Sequence, residues 1–348
     1  MNPAAGGAEL TIEKVGSHLV SVGHQVKILS GGWAGASSSE RFHGVEIKRY
    51  MGNFTAHLAH VATLAFDRGT YKVIDDLAHV VPWGSERVSR SPGTAFFRHL
   101  HARTLFGQVK HSRAVMLERL ESMYSRIYQR YPFVVESGSS KSDLSSLGIV
   151  PDRIVQIPPG VDRELFHPGE RTSSPQLIYF AGMKAYKRPE TALLVLGELN
   201  KLGVYPSLVV VGDGPSKPGL VSCASTNGLK RSIRFVGRVR RDVLAKLVRE
   251  SWVNLNFSVS EGWGYSITEA AASGVPTVAF SVPGVADSVV DGQTGLLVPP
   301  GDVRAFAREV ARVLVDPDTY GVPALERASG RSWEDCGTDW LAHLQALS

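Results

Sequence analysis

Cysteine is scarce: the 348 residues include only Cys223 and Cys336. Two thiols cannot build a disulfide framework or a thiolate metal cluster, and they suit a reducing cytoplasm. Apolar runs of membrane-spanning length are missing. The opening MNPAAGGAEL has neither the charged nor the apolar region of a secretory signal. A G-x-G-x-x-G followed about twenty residues later by an acid is also absent, which argues against a dinucleotide-binding oxidoreductase. Charge of one sign is in modest excess. The net charge of +5 lies in residues 1–150, where 17 Lys and Arg face 12 Asp and Glu; the remainder has 21 of each. That balance reads as a solvated surface. A basic face toward a membrane or an anionic acceptor is the less favoured reading, and no nucleic-acid partner is expected.

What is present begins with length. A chain of this size exceeds one ordinary core, so two domains are expected. The chain is organised around FSVSEGWGYSITEAAASGVPTVAF, residues 257–280. Val253, Leu255 and Phe257 alternate as a strand, and Ser260, Glu261, Gly262 and Gly264 turn the chain. A small-residue helix follows from about Ser266 to Ala272, and Gly274 and Pro276 end it. Glu261 and Glu269 bracket the turn with seven residues between them. The backbone N–H groups from Gly262 through Tyr265 and Ser266 to Ile267 lead into a helix N-terminus, where an anion is favoured. Carboxylates for sugar hydroxyls beside N–H donors for phosphate suit a nucleotide sugar. Ser266-Ile-Thr-Glu269 also fits a capping box, a purely local role for Glu269.

Along the chain, strands alternate with helices, the pattern of an α/β fold with doubly wound parallel sheets. Gly6 and Gly7 precede a helix with Ile12, Val15, Leu19 and Val22 on one face. Gly7 has no Cβ and would let backbone approach a phosphate; a tight turn is the plainer reading. Strands are expected at 26–29, 45–49, 71–74 and 94–97. Asp75-Asp76 at a strand end would touch an acceptor or, preferably, cap the next segment. Residues 113–131 read as one helix with Val115, Met116, Leu120, Met123 and Ile127 toward the core. The Pro- and Gly-rich stretch from Ile157 to Gly169 reads as the linker between domains.

GGAE, SVGHQVKIL, VVESGSSKSDLSSLGI, IPPGVDRELFHP, VVVGDGP, RFVGRV, the Glu261–Glu269 segment and DGQTGLLVPPGD occur in this order. Together they resemble family 4 of the retaining glycosyltransferases. The resemblance implies a GT-B fold, two Rossmann-like doubly wound parallel-sheet domains facing a cleft. Residues 1–168 would bind the acceptor and residues 169–330 the donor, with 331–348 a helix crossing back to the first domain. In relatives an apolar strand precedes the glycines; here Met1 stands only a few residues before them, so the first strand is expected to be missing or to begin upstream. The resemblance further implies a cytoplasmic hexosyltransferase moving a sugar from a UDP- or GDP-sugar to a lipid, polysaccharide or small natural-product hydroxyl. No metal and no other cofactor is expected.

By the same resemblance Lys187 stabilises the leaving diphosphate. The family's arginine position holds Met183, which leaves Lys184 or Arg188 to replace its charge. Glu269 would take ribose hydroxyls, Glu261 a donor-sugar hydroxyl, and the turn with Arg238 would lie near the base. His99, with His101 as substitute, is the expected catalytic histidine, although strict register puts Arg98 there. Ser137 would face the cleft or enter a helix. A non-catalytic nucleotide-sugar-binding relative is the alternative.

Overall fold

The computed structural model describes residues 6–66, 69, 71–105 and 108–347. Backbone packing divides the chain into two units. The first comprises Met1–Ala102, His111–Gly160 and Trp333–Ser348, and the second Arg103–Lys110 and Val161–Ser332. Among the described residues no helix is long and apolar enough to cross a membrane.

Among the described residues the first unit carries seven strands: β1 (Lys27–Gly32), β2 (Ser39–Phe42), β3 (Val45–Met51), β4 (Val73–Asp76), β5 (Gly93–Phe97), β6 (Phe133–Val135) and β7 (Ile154–Gln156). They form two sheets, ordered β1-β3-β2 and β4-β5-β6-β7. β1 and β3 are parallel, as are all pairs of the second sheet, whereas β2 runs antiparallel to β3. The sequence reading places no strand at β2. His43 and Gly44, both with positive φ, make the tight hairpin that returns the chain. β1 and β4 are both edge strands among the described residues, so the first unit holds two short sheets rather than one continuous sheet. The five residues before Gly6, where a preceding strand would begin, lie outside the described residues.

Burial follows strand position. β5 and β6 are fully buried, while β1 is half-buried to exposed along its length. The expected helix over 113–131 is broken into His111–Glu121 and Tyr124–Ile127. The break turns the packing face: Ala114, Leu117, Glu121 and Tyr124 are buried, and Met116 and Met123 are exposed. Glu121 can be buried because its carboxylate accepts the N–H groups of His101 and Ala102, at 2.8 and 2.9 Å. The C-terminal helix Trp333–Ala346 packs on the helix Gly7–Ser21. Gly337 permits this approach, since a Cβ there would stand 2.3 Å from the His18 ring. Trp340 is 1 % exposed and meets Phe96 edge-on at 4.9 Å.

The second unit has one six-stranded parallel sheet of β8 (Gln176–Phe180), β9 (Ser207–Val211), β10 (Ile233–Gly237), β11 (Val253–Asn256), β12 (Thr277–Phe280) and β13 (Gly295–Val298). Its order is β10-β9-β8-β11-β12-β13. Consecutive strand residues enter different cores, as period-two geometry requires. Leu177, Tyr179, Leu208 and Val210 join one core with the helices Thr191–Lys201 and Val303–Val315. Ile178, Phe180, Val209 and Val211 join the other with Arg241–Arg249 and Tyr265–Ala272. The order reverses at β8, where β9 leaves to one side and β11 to the other. In such a sheet ligands bind outside the carboxyl ends of the strands at that reversal.

Candidate functional site

Both sides of the reversal supply charged loops. After β8 the chain runs Ala181-Gly-Met-Lys-Ala-Tyr-Lys187-Arg188. Met183 is fully buried in the core, with its N–H donating to Asp213 O at 2.9 Å, so it turns away from the loop surface. Ala185–Lys187 forms one 3₁₀ turn, and Arg188 follows at φ 46°. A non-glycine residue in that region stores strain of order 1 kcal/mol, a feature that collects at functional sites. Lys184 and Arg188 hold no ion pair among the described residues.

After β11 the loop brings Glu261 to Lys187, and the two form an ion pair. Glu261 also accepts a hydrogen bond from the Ser258 hydroxyl at 2.7 Å. Val259 N–H donates to Tyr186 O at 2.9 Å and ties the two loops together. The pair is largely withdrawn from water, with 15 % of the Lys187 and 14 % of the Glu261 side chain exposed. Burial opposes the Lys187 charge, but Glu261 and Tyr186 outweigh it and hold the ammonium above the usual lysine range. Gly284 supports the loop from behind. At φ 80° it lies so close that a Cβ would stand 2.0 Å from Glu261 O. The Ser260 hydroxyl and the Trp263 indole N–H are buried without partners among the described residues.

Glu269 is 7 % exposed on the helix Tyr265–Ala272, whose N-cap is Gly264. Its carboxylate does not close a capping box with Ser266. Instead it accepts from the Arg241 guanidinium at 2.9 Å. Burial raises the Glu269 carboxyl above its usual range, and Arg241 offsets part of that. Tyr265 and Ser266 open the helix, and Gly262 lies in the turn before it. Arg238 is exposed after β10, where its charge helps hold Asp213 low, behind the stronger effect of the Lys217 hydrogen bond. Thus Lys187 and Glu261 meet directly, whereas Glu269 is held by a separate cation. Ser258, Arg241 and Gly284 escape the sequence reading. Ser258, three residues before Glu261, is the one that spacing could have flagged.

The family model for Glycosyl transferases group 1 matches residues 161–326, and that for Glycosyltransferase Family 4 matches residues 5–165. The chain belongs to the family 4 glycosyltransferases. A D-inositol 3-phosphate glycosyltransferase from Kribbella flavida is 33 % identical over 211 residues, 54 % of this chain and 49 % of that protein. A 2-deoxystreptamine glucosyltransferase from Streptomyces kanamyceticus is 33 % identical over 185 residues, 53 % of this chain and 47 % of that one. The chain therefore spans about half the length of the curated relatives it matches. Among solved structures, sucrose-phosphate synthase from Thermosynechococcus elongatus superposes with a TM-score of 0.83 at 20 % identity, covering 98 % of this chain and 93 % of that one. HepE of Anabaena in complex with UDP-glucose gives 0.76 at 17 % identity, covering 100 % and 98 %. The fold is GT-B.

The first unit of this family 4 chain has its own charged centre. Arg98, directly after β5, is 4 % exposed. Its guanidinium donates to Asp76 at 3.0 Å, to Glu136 at 2.9 Å and to Ala8 O at 3.1 Å, and it lies over the Phe96 ring. Thr11 donates to Glu136 at 3.0 Å from the helix that Gly7 begins. Gly6 N–H is taken by Glu9 at 2.8 Å, so the chain's own carboxylate occupies part of that helix end. His99 stacks at a tilt on His101, rings 4.5 Å apart, and His101 is engaged with Glu121 at 3.2 Å. Asp75 is 1 % exposed and accepts from Ser85 N–H at 3.0 Å and Tyr128 OH at 2.9 Å, which is the capping role. Ser137 caps the helix Gly138–Ser146 through Ser140 N–H.

Proposed function

We propose that this chain is a retaining glycosyltransferase that takes its sugar from a nucleoside-diphosphate sugar. The observation that carries the reading is the Lys187–Glu261 pair beside the reversal of the second sheet. An ammonium meets the charge that grows on a departing diphosphate, and an adjacent carboxylate orients a sugar hydroxyl. HepE, which shares the fold, holds UDP-glucose, and this supports a UDP-sugar as the first donor to try. In this scheme Lys187 leaves Glu261 for the diphosphate when donor enters, and Glu261 turns to the sugar. Glu269 takes the ribose hydroxyls, the Gly262–Ser266 backbone lines the sugar and phosphate, and Arg238 lies near the base. Arg188 replaces the charge that Met183 cannot supply. Gly7 lets the backbone approach the donor phosphate, His99 is the catalytic histidine near the reacting sugar carbon, and the enzyme acts by proximity and electrostatics without a metal.

The reading predicts that UDP-glucose or another UDP-sugar binds the purified protein and is consumed when an acceptor hydroxyl is supplied. The anomeric configuration of the product, read by proton NMR, should equal that of the donor. Replacement of Glu261 by Ala should lower transfer about a hundredfold or more, the scale for losing a group that acts at the reacting centre. Donor binding without transfer or hydrolysis across a broad acceptor panel would favour a binding protein and sink the proposal.

A further inference from the structure

The loops proposed to hold the donor follow the carboxyl ends of β8, β10 and β11. A separate cavity of about 280 Å³ lies at the opposite end of the sheet, at the amino ends of β8, β9 and β10. Its polar lining comes from Gln176, Ser207, Arg231, Ser232 and Arg234. No Asp or Glu is among the lining residues, and residues 227–236 contain Lys230, Arg231 and Arg234 without one acid. Arg231 and Arg234 are exposed and hold no ion pair among the described residues. Four other arginines of this unit are engaged, Arg171 with Asp318, Arg240 with Asp242, Arg241 with Glu269 and Arg312 with Glu309, while Arg188 is in no ion pair among the described residues. The Ser207 hydroxyl makes only a long bond, 3.4 Å to Pro175 O.

We propose that this cavity binds a small phosphomonoester. Two arginines without an ion pair and two serines in one lining match a tetrahedral dianion, which accepts forked hydrogen bonds and carries about two charges. The volume lies just under the usual ligand range of about 300–1,000 Å³, so the occupant is a phosphate or a phosphorylated sugar rather than a nucleotide. β8 is five residues long, so this site stands about 16 Å from the donor loops and is distinct from them. The proposal does not rest on the donor assignment. Its competitor is that arginines on the edge strand β10 only discourage edge-to-edge pairing.

Calorimetric titrations of the full chain with inorganic phosphate, glucose 6-phosphate and glucose, at fixed ionic strength, test it. The Arg231→Ala/Arg234→Ala double variant is run beside the wild type, and the Arg231→Gln/Arg234→Gln pair serves if the first is unstable. We expect saturable binding of one or both phosphates by the wild type, none of glucose, and at least a roughly tenfold loss in the double variant. Tighter binding of glucose 6-phosphate than of phosphate identifies a phosphorylated sugar as the occupant, and equal affinity identifies free phosphate. Phosphate can also enter the donor site, so a Lys187→Ala chain is titrated too. Loss of binding there with retention in the arginine variant overturns the proposal, as does equal affinity in wild type and arginine variant, or no binding up to about 10 mM, an affinity of under 3 kcal/mol.

Discussion

If Lys187 exchanges partners on donor entry, removing Glu261 should help one ligand and harm another. At charge centres about 4 Å apart and an effective dielectric constant of about 20, the pair gains about 4 kcal/mol. Withdrawal of both side chains from water returns part of that, and we take the net coupling as about 2 kcal/mol. A double-mutant cycle of Lys187→Met and Glu261→Gln, followed by chemical unfolding, measures it. The single Lys187→Met change leaves Glu261 with only Ser258 and should lower Tm by about 4–8 °C for a unit of this size. The same coupling acts against diphosphate, because UDP must draw Lys187 away from Glu261. Glu261→Gln should therefore tighten UDP binding several-fold, up to about tenfold, while weakening a UDP-sugar relative to UDP. Calorimetry with both ligands gives the two numbers. A coupling below about 0.5 kcal/mol, or weaker UDP binding in Glu261→Gln, would refute the exchange. The pH dependence has a fixed sign. The folded Lys187 value is above the ordinary 10.5, so its share of stability is complete below 10.5 and is lost as pH rises through the higher folded value.

Other perturbations have equally definite outcomes. Gly284→Ala puts a methyl group into Glu261 O and strains a positive φ, so it should destabilise by about 2–4 kcal/mol in urea unfolding and abolish transfer. Arg98→Ala leaves two carboxylates around an empty centre and should remove about 3–5 kcal/mol; Arg98→Lys, with fewer donors, should restore only part of it. Glu269 has a raised folded value, so its contribution becomes more favourable as pH falls from that value toward the ordinary 4.5, and Glu269→Gln should flatten this part of the stability profile. Arg188→Gly relieves the left-handed strain and should raise Tm slightly, by about 1–3 °C, while lowering transfer; unchanged transfer would remove Arg188 from the donor site.

The turns after β8 and β11 were legible from cues close in sequence. Glycines and a carboxylate after an alternating strand mark a strand end, and Lys187, seven residues past the end of β8, matches a position of the resembled family. Contacts across long separations were not. Arg241 and Glu269 lie 28 residues apart, and nothing in either segment announces the other. Arg98 and Glu136 are 38 apart, and a buried arginine carries no signal in a basic stretch. The break at Ser122 was hidden because helical periodicity continues through it, while the packing direction is chosen by Glu121 and its backbone donors. The hairpin at β2 was missed because Ser39–Phe42 is short and polar, so its partner β3, rather than its own pattern, makes it a strand.

The seat of the helix Trp333–Ala346 has a practical consequence for anyone shortening the chain. Trp340 lies hundreds of positions from Phe96 in sequence yet fills the same core. Cutting before Trp333 would strip that ring away and wet the aromatic centre it covers, so a trimmed version should lose folded yield rather than gain it.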